Sequence, residues 1–401
     1  MANRIRVEVN ADVLKWARES RALSIEVAAR KLGTSPERLL KWESGEERPT
    51  PNQLRKIAKQ YVRPICVFFL PAPPIDEEPG LKDFRRLHEA EVAVEFSPEL
   101  KVEIRLAHER RSEAIDLAIE AGVDLTTEIP AASLKDDPES FAKGLRNALR
   151  LSQEDQSRWR NQYEAFAEWR SKIENLGILV FQTGRSPQQF IDTKEARGFS
   201  ISEEVLPVIV VNGKDAVPAR CFTLLHELTH LALRSSGVCD PFDRTNREQS
   251  RFAQVEIFCN HVAGATLVPE DALFATPEVR NHEGGIEWTD NELSALARKF
   301  WVSWEVCLRR LVILGLTTNR FYSDWRRNND DRYPGRESRG DVKLPMYTRV
   351  IRRNGRLYPR IVLDALREGC ITYSRAAGYL GAGANHLPKI EVAVFDPRYV
   401  G

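Results

Sequence analysis

The sequence predicts an α+β protein, with an all-α N-terminal domain, a central domain of helices with a small sheet, and a small C-terminal module. Residues 11–61 show the apolar stripes of short helices in close succession. Two short apolar runs, residues 177–181 and 208–211, are bounded by Gly, Pro and Asn and are typical of strands. Helical periodicity returns from Phe222 to about Leu316. A chain of 401 residues is long enough for two or three such domains.

Composition excludes several classes of protein. Hydrophobic residues make up 42% of the chain and charged residues 29%, which is typical of globular rather than disordered or fibrous proteins. The longest apolar stretch, residues 65–70, is too short to cross a bilayer, and the N-terminus lacks the apolar core of a secretory signal. We therefore expect a cytoplasmic protein and neither a membrane protein nor a secreted one.

The net charge of the whole chain does not indicate a binding partner, but the distribution of charge and the cysteines are informative. The 59 Lys and Arg nearly balance the 58 Asp and Glu, so bulk charge predicts no nucleic-acid coat. Residues 1–63, however, carry 14 basic against 8 acidic residues, and residues 320–360 carry 12 against 5. The six cysteines form no Cys-x-x-Cys pair, which favours a reducing compartment over disulfides or a cysteine-built zinc site.

The N-terminal helices have clear start and stop signals. Ser24 is expected to cap the second helix and Gly33 to end it. Ser35 and Pro36 together predict the start of a third helix, with serine as the cap and proline at the first helical position. A stiff, largely polar segment with several prolines, residues 71–78, predicts the first domain boundary.

The central region opens with strong helical signals. One helix is expected from Ser97 to about Gly122, and a second begins near Asp137. Trp159 and Ile173 bound a third stretch, in which apolar residues recur at helical spacing and predict a core-facing stripe.

The C-terminal part is predicted as a linker followed by a separate module. Residues 328–343 are rich in Arg, Asn, Asp and Gly and indicate an exposed linker. Asn354-Gly355 predicts a β-hairpin, after which helices follow. The predicted domains are residues 1–75, 80–318 and 340–401.

The sharpest chemical signal is His226-Glu227-Leu-Thr-His230. On a helix, positions i and i+4 lie on one face, so both imidazoles can reach one tetrahedral Zn²⁺ ion. Glu227 is placed to act as a general base on the attacking water rather than to bind the metal. With seven histidines in the chain, the pattern arises by chance on the order of 1% of the time.

A catalytic zinc ion requires a third protein ligand and one open position. The metzincin continuation, with another His shortly downstream, is absent. Glu256 is our first choice, because it is a lone acid in a largely apolar helix, although an exposed or ion-paired role would also explain it. Glu248 and His261 are the competing ligands.

These residues resemble the ImmA/IrrE metallopeptidases over roughly residues 80–315. The shared segments are Thr223–Leu231, Glu256-x-x-x-Asn260-x-x-Ala263, Leu267-Val268-Pro269, Arg197-Gly-Phe-Ser, Pro207–Asn212 and Asp83-Phe84-Arg85. The resemblance implies a zincin-like domain in which His226, His230 and Glu256 bind one zinc ion and Glu227 is the general base. Thr229 and Arg234 depart from the family, which commonly has Gly and often His at these positions.

In peptidases of this architecture an edge strand beside the metal pairs with the extended substrate. The resemblance places that strand at about residues 207–212. The substrate-binding residues are then expected to be Val208, Ile209, Val210, Val211 and Asn212.

The N-terminal module resembles an XRE-type helix-turn-helix, from Leu23-Ser24 through Gly33 to Trp42-Glu43 and Pro49. Such a module places its second helix in the major groove of double-stranded DNA. The implied DNA contacts are Arg38 and Lys41, helped by Arg30, Lys31, Arg48 and Arg55. Residues 35–43 contain two Glu and no Asn or Gln, so a dimerisation or partner-docking module is the alternative.

Residues 289–315 form a second helix-turn-helix-like pair, which we interpret as structural because relatives of this family often carry such a pair after the peptidase core. By resemblance, the whole chain is a zinc endopeptidase whose substrate is a protein such as an XRE-type repressor, and cleavage derepresses stress-response or mobile-element genes. The alternative is an antitoxin-like DNA-binding regulator in which the zinc domain is a sensor or scaffold. The sequence does not indicate an oligomeric state.

Overall fold

The structure is a computed structural model that divides into two compact units. The first unit contains residues 1–80 and 95–105, and the second contains residues 81–94 and 106–401. The described residues are 6–74, 96–184, 191–234, 253–329 and 344–396, with the backbone alone at 82–83, 237–239 and 251–252. Most of the predicted linkers, residues 75–78 and 330–343, lie outside the described residues, and the boundaries 1–75, 80–318 and 340–401 stay predictions.

The first unit is a compact set of short helices. Its elements are α1 (Ala11–Glu19), α2 (Ile25–Leu32), α3 (Pro36–Glu43), α4 (Pro51–Tyr61) and a 3-10 helix (Ile65–Phe69). The predicted caps are confirmed: Ser24 Oγ accepts from the backbone N–H of Val27, and Ser35 Oγ accepts from that of Arg38. Gly33 ends α2 in the left-handed conformation, with φ +68°.

A buried ion pair joins α1 to α3. Arg18 Nε lies 2.8 Å from Glu43 Oε1, and Arg18 Nη2 lies 2.9 Å from Glu43 Oε2. Glu43 is therefore part of the interior of the unit, so one of the two glutamates that argue against DNA binding does not face solvent.

The second unit packs helices around one sheet. The helix α5 spans Pro98–Glu120. Three helices follow it in the chain: α6 (Pro138–Ala148), α7 (Gln153–Ser157) and α8 (Gln162–Glu174).

The sheet has five strands in the described residues. They are β1 (Lys82–Asp83), β2 (Leu179–Gln182), β3 (Gly198–Ile201), β4 (Val208–Val211) and β5 (Gly237–Cys239), in the order β1-β5-β3-β4-β2. Strand β4 pairs in parallel with β2 and antiparallel with β3. The prediction that this strand lies at an edge is wrong, because β3, which no apolar run marks in the sequence, occupies its second side.

Helices cover the sheet and extend to the end of the described chain. The metal-motif region contains α9 (Val217–Ala232) and α10 (Arg251–Leu267), and the helices after them are α11 (Glu270–Phe274), α12 (Pro277–Arg280), α13 (Asp290–Phe300), α14 (Trp304–Ile313) and α15 (Asn319–Asn329). One large apolar core contains residues of α6, α8, α9 and α10, of the sheet, and of α13 and α14. None of the described helices is both long and apolar enough to cross a membrane. The α+β fold class is confirmed.

Where it is described between residues 345 and 395, the C-terminal segment consists of helices joined by short turns. Its helices are α16 (Met346–Asn354), α17 (Leu357–Arg367), α18 (Tyr373–Leu380) and α19 (Leu387–Phe395), with a 3-10 turn at Ala384–His386. The predicted hairpin at Asn354-Gly355 is wrong, because Gly355 ends α16 with φ +69°. A Cβ on Gly355 would overlap the buried carboxylate of Glu174, which accepts the backbone N–H of Arg356 at 2.9 Å.

Candidate metal centre

The helix α9 holds the His-Glu-x-x-His motif in the interior of the second unit. It begins at Val217 with Pro218 in its first turn, where the missing backbone N–H costs no hydrogen bond. It packs against α8, α10, β3 and β4, so nearly all of its residues are buried. His226, Glu227 and His230 each have 0% exposed surface.

The helix α10 brings Glu256 to the two histidines. His226 Nε2 lies 3.4 Å from Glu256 Oε2, and His230 Nε2 lies 3.2 Å from Glu256 Oε1. The two Nε2 atoms lie 3.1 Å apart. Two ligand atoms of one tetrahedral zinc ion, each about 2.1 Å from the ion, are separated by about 3.4 Å. The three donors therefore fit one small tetrahedral cation, and they form a metal-ligand group among the described residues.

Glu227 lies next to this group without a hydrogen bond of its own. Neither carboxylate oxygen has a hydrogen-bonding partner among the described residues, although the side chain is fully buried. Burial raises the pKa of Glu227 to about 7, against the opposing effect of the nearby His230. A carboxylate kept free of partners in this way can accept and release a proton near neutral pH.

The strand β3 lies close to Glu227 because one of its residues is glycine. A Cβ on Gly198 would come within 2.5 Å of Thr223 Cγ2 and 2.8 Å of the Val210 carbonyl oxygen, and within 3.6 Å of Glu227 Cγ. The buried Ser200 follows two residues later on the same strand. Sequence reasoning assigned no role to either residue, and only the Arg197-Gly-Phe-Ser segment of the family resemblance marked them.

The competing ligand His261 has another partner. Its Nε2 lies 2.7 Å from Glu139 Oε1 on α6, and the same carboxylate pairs with the buried Arg310 of α14. His261 thus joins α10 to α6. The other competitor, Glu248, lies outside the described residues.

The two departures from the family do not disturb the metal donors. Thr229 is buried within α9 and its hydroxyl donates to the Leu225 carbonyl oxygen at 2.8 Å. Arg234 lies after the end of the helix, in the left-handed region with φ +53°. Neither side chain belongs to the metal-ligand group.

The predicted substrate strand is held within the sheet rather than offered to a ligand. Val208, Ile209, Val210 and Val211 are buried, and β2 and β3 flank them on both sides. Asn212 Nδ2 donates to the carbonyl oxygens of Ile191 and Ala196, at 3.0 and 2.8 Å. A role for residues 208–212 as an edge that accepts substrate is therefore wrong.

The residues predicted to contact DNA lie on the first unit. Arg30, Lys31, Lys41 and Arg48 are exposed, as is Arg55. The guanidinium of Arg38 is half-exposed and lies 3.0 Å from Glu47 Oε1. Arg48 lies 2.6 Å from Glu8 Oε1. Two of these cations, Arg38 and Arg48, share their charge with an acidic neighbour, and the role of all six in DNA binding stays a prediction.

Models of known families match the metal-centre region and the N-terminal helices. A peptidase-family model described as the IrrE N-terminal-like domain matches residues 173–312, and a model described as helix-turn-helix matches residues 14–65. No curated protein and no solved structure matches the chain. The two family matches confirm the resemblance and indicate a metallopeptidase domain and a DNA-binding domain in one chain.

Proposed function

Since the chain carries an IrrE N-terminal-like peptidase domain and a helix-turn-helix domain, we propose that it is a zinc-dependent endopeptidase of the His-Glu-x-x-His, gluzincin-like type. Its ligands are His226, His230 and Glu256, and its general base is Glu227. We place it in the cytoplasm, where its helix-turn-helix domain has access to DNA. Its substrate is a protein such as an XRE-type repressor, and cleavage derepresses stress-response or mobile-element genes.

One observation carries the enzymatic part of this proposal. Three donors of the types that zinc prefers converge at 3.1–3.4 Å, beside a buried carboxylate that makes no other hydrogen bond among the described residues. A purely structural site would have no use for Glu227, because leaving a buried carboxylate without partners is unfavourable. A catalytic site does require such a group.

The chemistry divides between the ion and the protein. When bound, zinc supplies a Lewis acid that polarises the scissile carbonyl group and activates the attacking water. Glu227 then accepts a proton on a carboxylate oxygen and passes it to the nitrogen of the leaving amine. The apolar neighbours of the motif, Leu224, Leu225 and Leu228, are fully buried and keep bulk water out of the helix interface that holds these groups.

The substrate class is supported by the domain combination. An N-terminal helix-turn-helix of the repressor type lies in the same chain as the peptidase domain. Exposed Arg30, Lys31 and Lys41 can hold the enzyme on DNA, which would concentrate it near a DNA-bound protein substrate.

A regulator without peptidase activity is the second candidate function. The exposed cations of the first unit favour it, because they would serve a transcriptional regulator equally well. In this alternative the metal group acts as a sensor or scaffold. The two functions differ in whether the Glu227 carboxylate is needed.

The test combines metal content with cleavage of co-expressed XRE-type repressors. Wild type, Glu227→Gln and the exposed control Glu270→Gln should each bind about one zinc ion. Wild type and Glu270→Gln should cleave a repressor, while Glu227→Gln should lose on the order of a thousandfold or more in kcat. Zinc binding with equal cleavage by Glu227→Gln would refute the role of Glu227. Wild type that binds no zinc after reconstitution would refute the metal site.

A further inference from the structure

A cavity with a charged lining lies in the second unit, and none of its lining residues belongs to the metal centre. It is lined by α8, the end of β2, the first turn of α9, and α16 with the turn that follows it. It encloses about 40 Å³. One buried water needs roughly 10–15 Å³, so the cavity has room for roughly three waters or one small polyatomic ion.

Positive charge dominates the lining of this cavity. Its charged side chains are one carboxylate, that of Glu174, and four guanidinium groups, those of Arg170, Arg220, Arg352 and Arg356. Burial lowers the pKa of Arg170 and of Arg220 to about 10, and repulsion by the neighbouring guanidinium groups adds to the effect. Both side chains remain charged at neutral pH, and a bound anion would relieve their repulsion.

Two of the four arginines hold the C-terminal helices in place. Arg170 Nη1 donates to the carbonyl oxygens of Ile351 and Arg352, at 3.1 and 2.7 Å. Arg356 Nη1 donates to the carbonyl oxygens of residues 393, 394 and 396. These bonds explain why those two side chains are present, and they leave Arg220 to be explained.

Arg220 supplies the observation that points to a ligand. Its side chain is buried, with 2% exposed surface. Nε donates to the Asp215 carbonyl oxygen at 2.8 Å and Nη1 to Gln182 Oε1 at 3.2 Å. The buried Nη2 atom has no hydrogen-bonding partner among the described residues. Leaving a charged donor unsatisfied in the interior is unfavourable, so a missing acceptor is expected there.

We propose that this cavity binds a phosphate group, with Arg220 and Arg352 as its principal contacts. Guanidinium groups match phosphate oxygens in geometry and charge. Val217 adds the first turn of α9, whose helix dipole favours an anion at that end. The nearby Asp215 carboxylate does not neutralise the cavity alone, because it pairs with Arg197 at 3.2 Å. The phosphate group is either inorganic phosphate or part of a nucleotide.

The position of the cavity links it to the metal-bearing helix. Arg220 precedes His226 by six residues on α9, which is about 9 Å along the helix axis. The bound anion would therefore stabilise the beginning of the helix that carries the metal ligands. The binding itself is independent of peptidase activity and can be measured without a protein substrate.

The experiment measures binding to the full-length protein by calorimetry and by the shift in Tm. The ligands are inorganic phosphate and adenosine monophosphate, with sodium chloride at equal ionic strength as the reference. The variants are Arg352→Gln and Arg353→Gln. Arg353 is a matched control because it is also half-buried and is the next residue on α16, but it does not line the cavity.

We expect phosphate or adenosine monophosphate to raise the Tm of wild type and of Arg353→Gln, and chloride to have no such effect. Arg352→Gln should weaken binding by about tenfold or more, whereas Arg353→Gln should bind the ligand as wild type does. A response to adenosine monophosphate alone would identify a nucleotide as the source of the phosphate group. The proposal is overturned if neither ligand exceeds chloride, or if Arg353→Gln weakens binding as much as Arg352→Gln.

Discussion

Among the described residues, two helix-turn-helix-like pairs share one capping pattern and differ in their surroundings. The first is α2 with α3, and the second is α13 with α14. In each, a left-handed residue ends the first helix: Gly33 with φ +68° and Trp301 with φ +56°. In each, three residues on from the helix end, a serine caps the second helix: Ser35 in one and Ser303 in the other. The same capping chemistry therefore builds both turns.

The second helices of the two pairs meet opposite environments. Leu40 and Leu308 lie at the same position, five residues after the capping serine. Leu40 is 51% exposed, whereas Leu308 is fully buried. Lys41 is exposed, whereas its counterpart Arg309 donates to the Tyr322 hydroxyl at 3.0 Å. Local sequence thus determines that a helix-turn-helix forms, and tertiary packing determines whether its second helix is available to a ligand.

The largest expected loss of stability comes from replacing Arg310, which connects α14 to the rest of the second unit. Its guanidinium is fully buried, pairs with Glu139 and donates to the Val268 carbonyl oxygen at 2.8 Å. Arg310→Met would leave Glu139 with a partly uncompensated charge, so we expect the free energy of unfolding to fall by about 3–5 kcal/mol. Urea denaturation of the full-length protein measures the loss. The exposed Arg298→Met on α13 should change it by less than about 0.5 kcal/mol, and equal losses in the two variants would contradict this account.

The two matched leucines test the comparison directly. Leu308→Ala should cost about 2–5 kcal/mol, because it opens a cavity in the core. Leu40→Ala should cost less than about 0.5 kcal/mol, because the side chain is already in contact with solvent. The same denaturation experiment distinguishes the variants. Similar losses would mean that α3 is also covered in the folded protein, and its proposed use as a DNA-reading helix would then be untenable.

Acid should weaken the packing of the second pair, because it protonates Glu139. Burial opposes ionisation, but hydrogen bonds from His261 and Arg310 lower the pKa of Glu139 to about 2, from an ordinary 4.5. A lowered folded-state pKa contributes stability that is complete above about pH 4.5 and is lost as pH falls towards 2. We expect the loss to be on the order of 2 kcal/mol, since the carboxylate is partly exposed. Stability measured against pH should fall less steeply in this window for Glu139→Gln than for wild type.

Features that depend on short sequence separation could be predicted. The caps of α2 and α3 follow from residues next to the helix, and the facing histidines follow from a spacing of four. The confirmed fold class depends on the same local signals. The role of Glu256 is harder to predict from the sequence, because only the packing of α10 on α9 brings its carboxylate to within 3.4 Å of the histidines. The competitor His261 is instead paired with Glu139, which is 122 residues away from it in the chain.

The two wrong predictions also have physical reasons. Asn-Gly favours a hairpin turn only when strands flank it, whereas Val350 and Ile351 are buried on one face of a helix that Gly355 ends. The position of β4 inside the sheet depends on β3, a strand of four residues that contains a glycine and a serine. Nothing in an isolated apolar run indicates how many neighbours it will have.

The smallest expected effect on stability, and the most direct test of the first pair, is at Lys41. Lys41→Ala removes an exposed charge from α3 and should change the free energy of unfolding by less than about 0.5 kcal/mol. If α3 lies in the major groove, the same change should weaken binding to double-stranded DNA and reduce the salt dependence by about one phosphate contact. Fluorescence anisotropy over a salt series measures both quantities. Lys59→Ala on α4, also exposed, is the control. If the two variants bind DNA equally well at every salt concentration, Lys41 does not contact the backbone, and the first pair is better explained as a docking module for a protein partner.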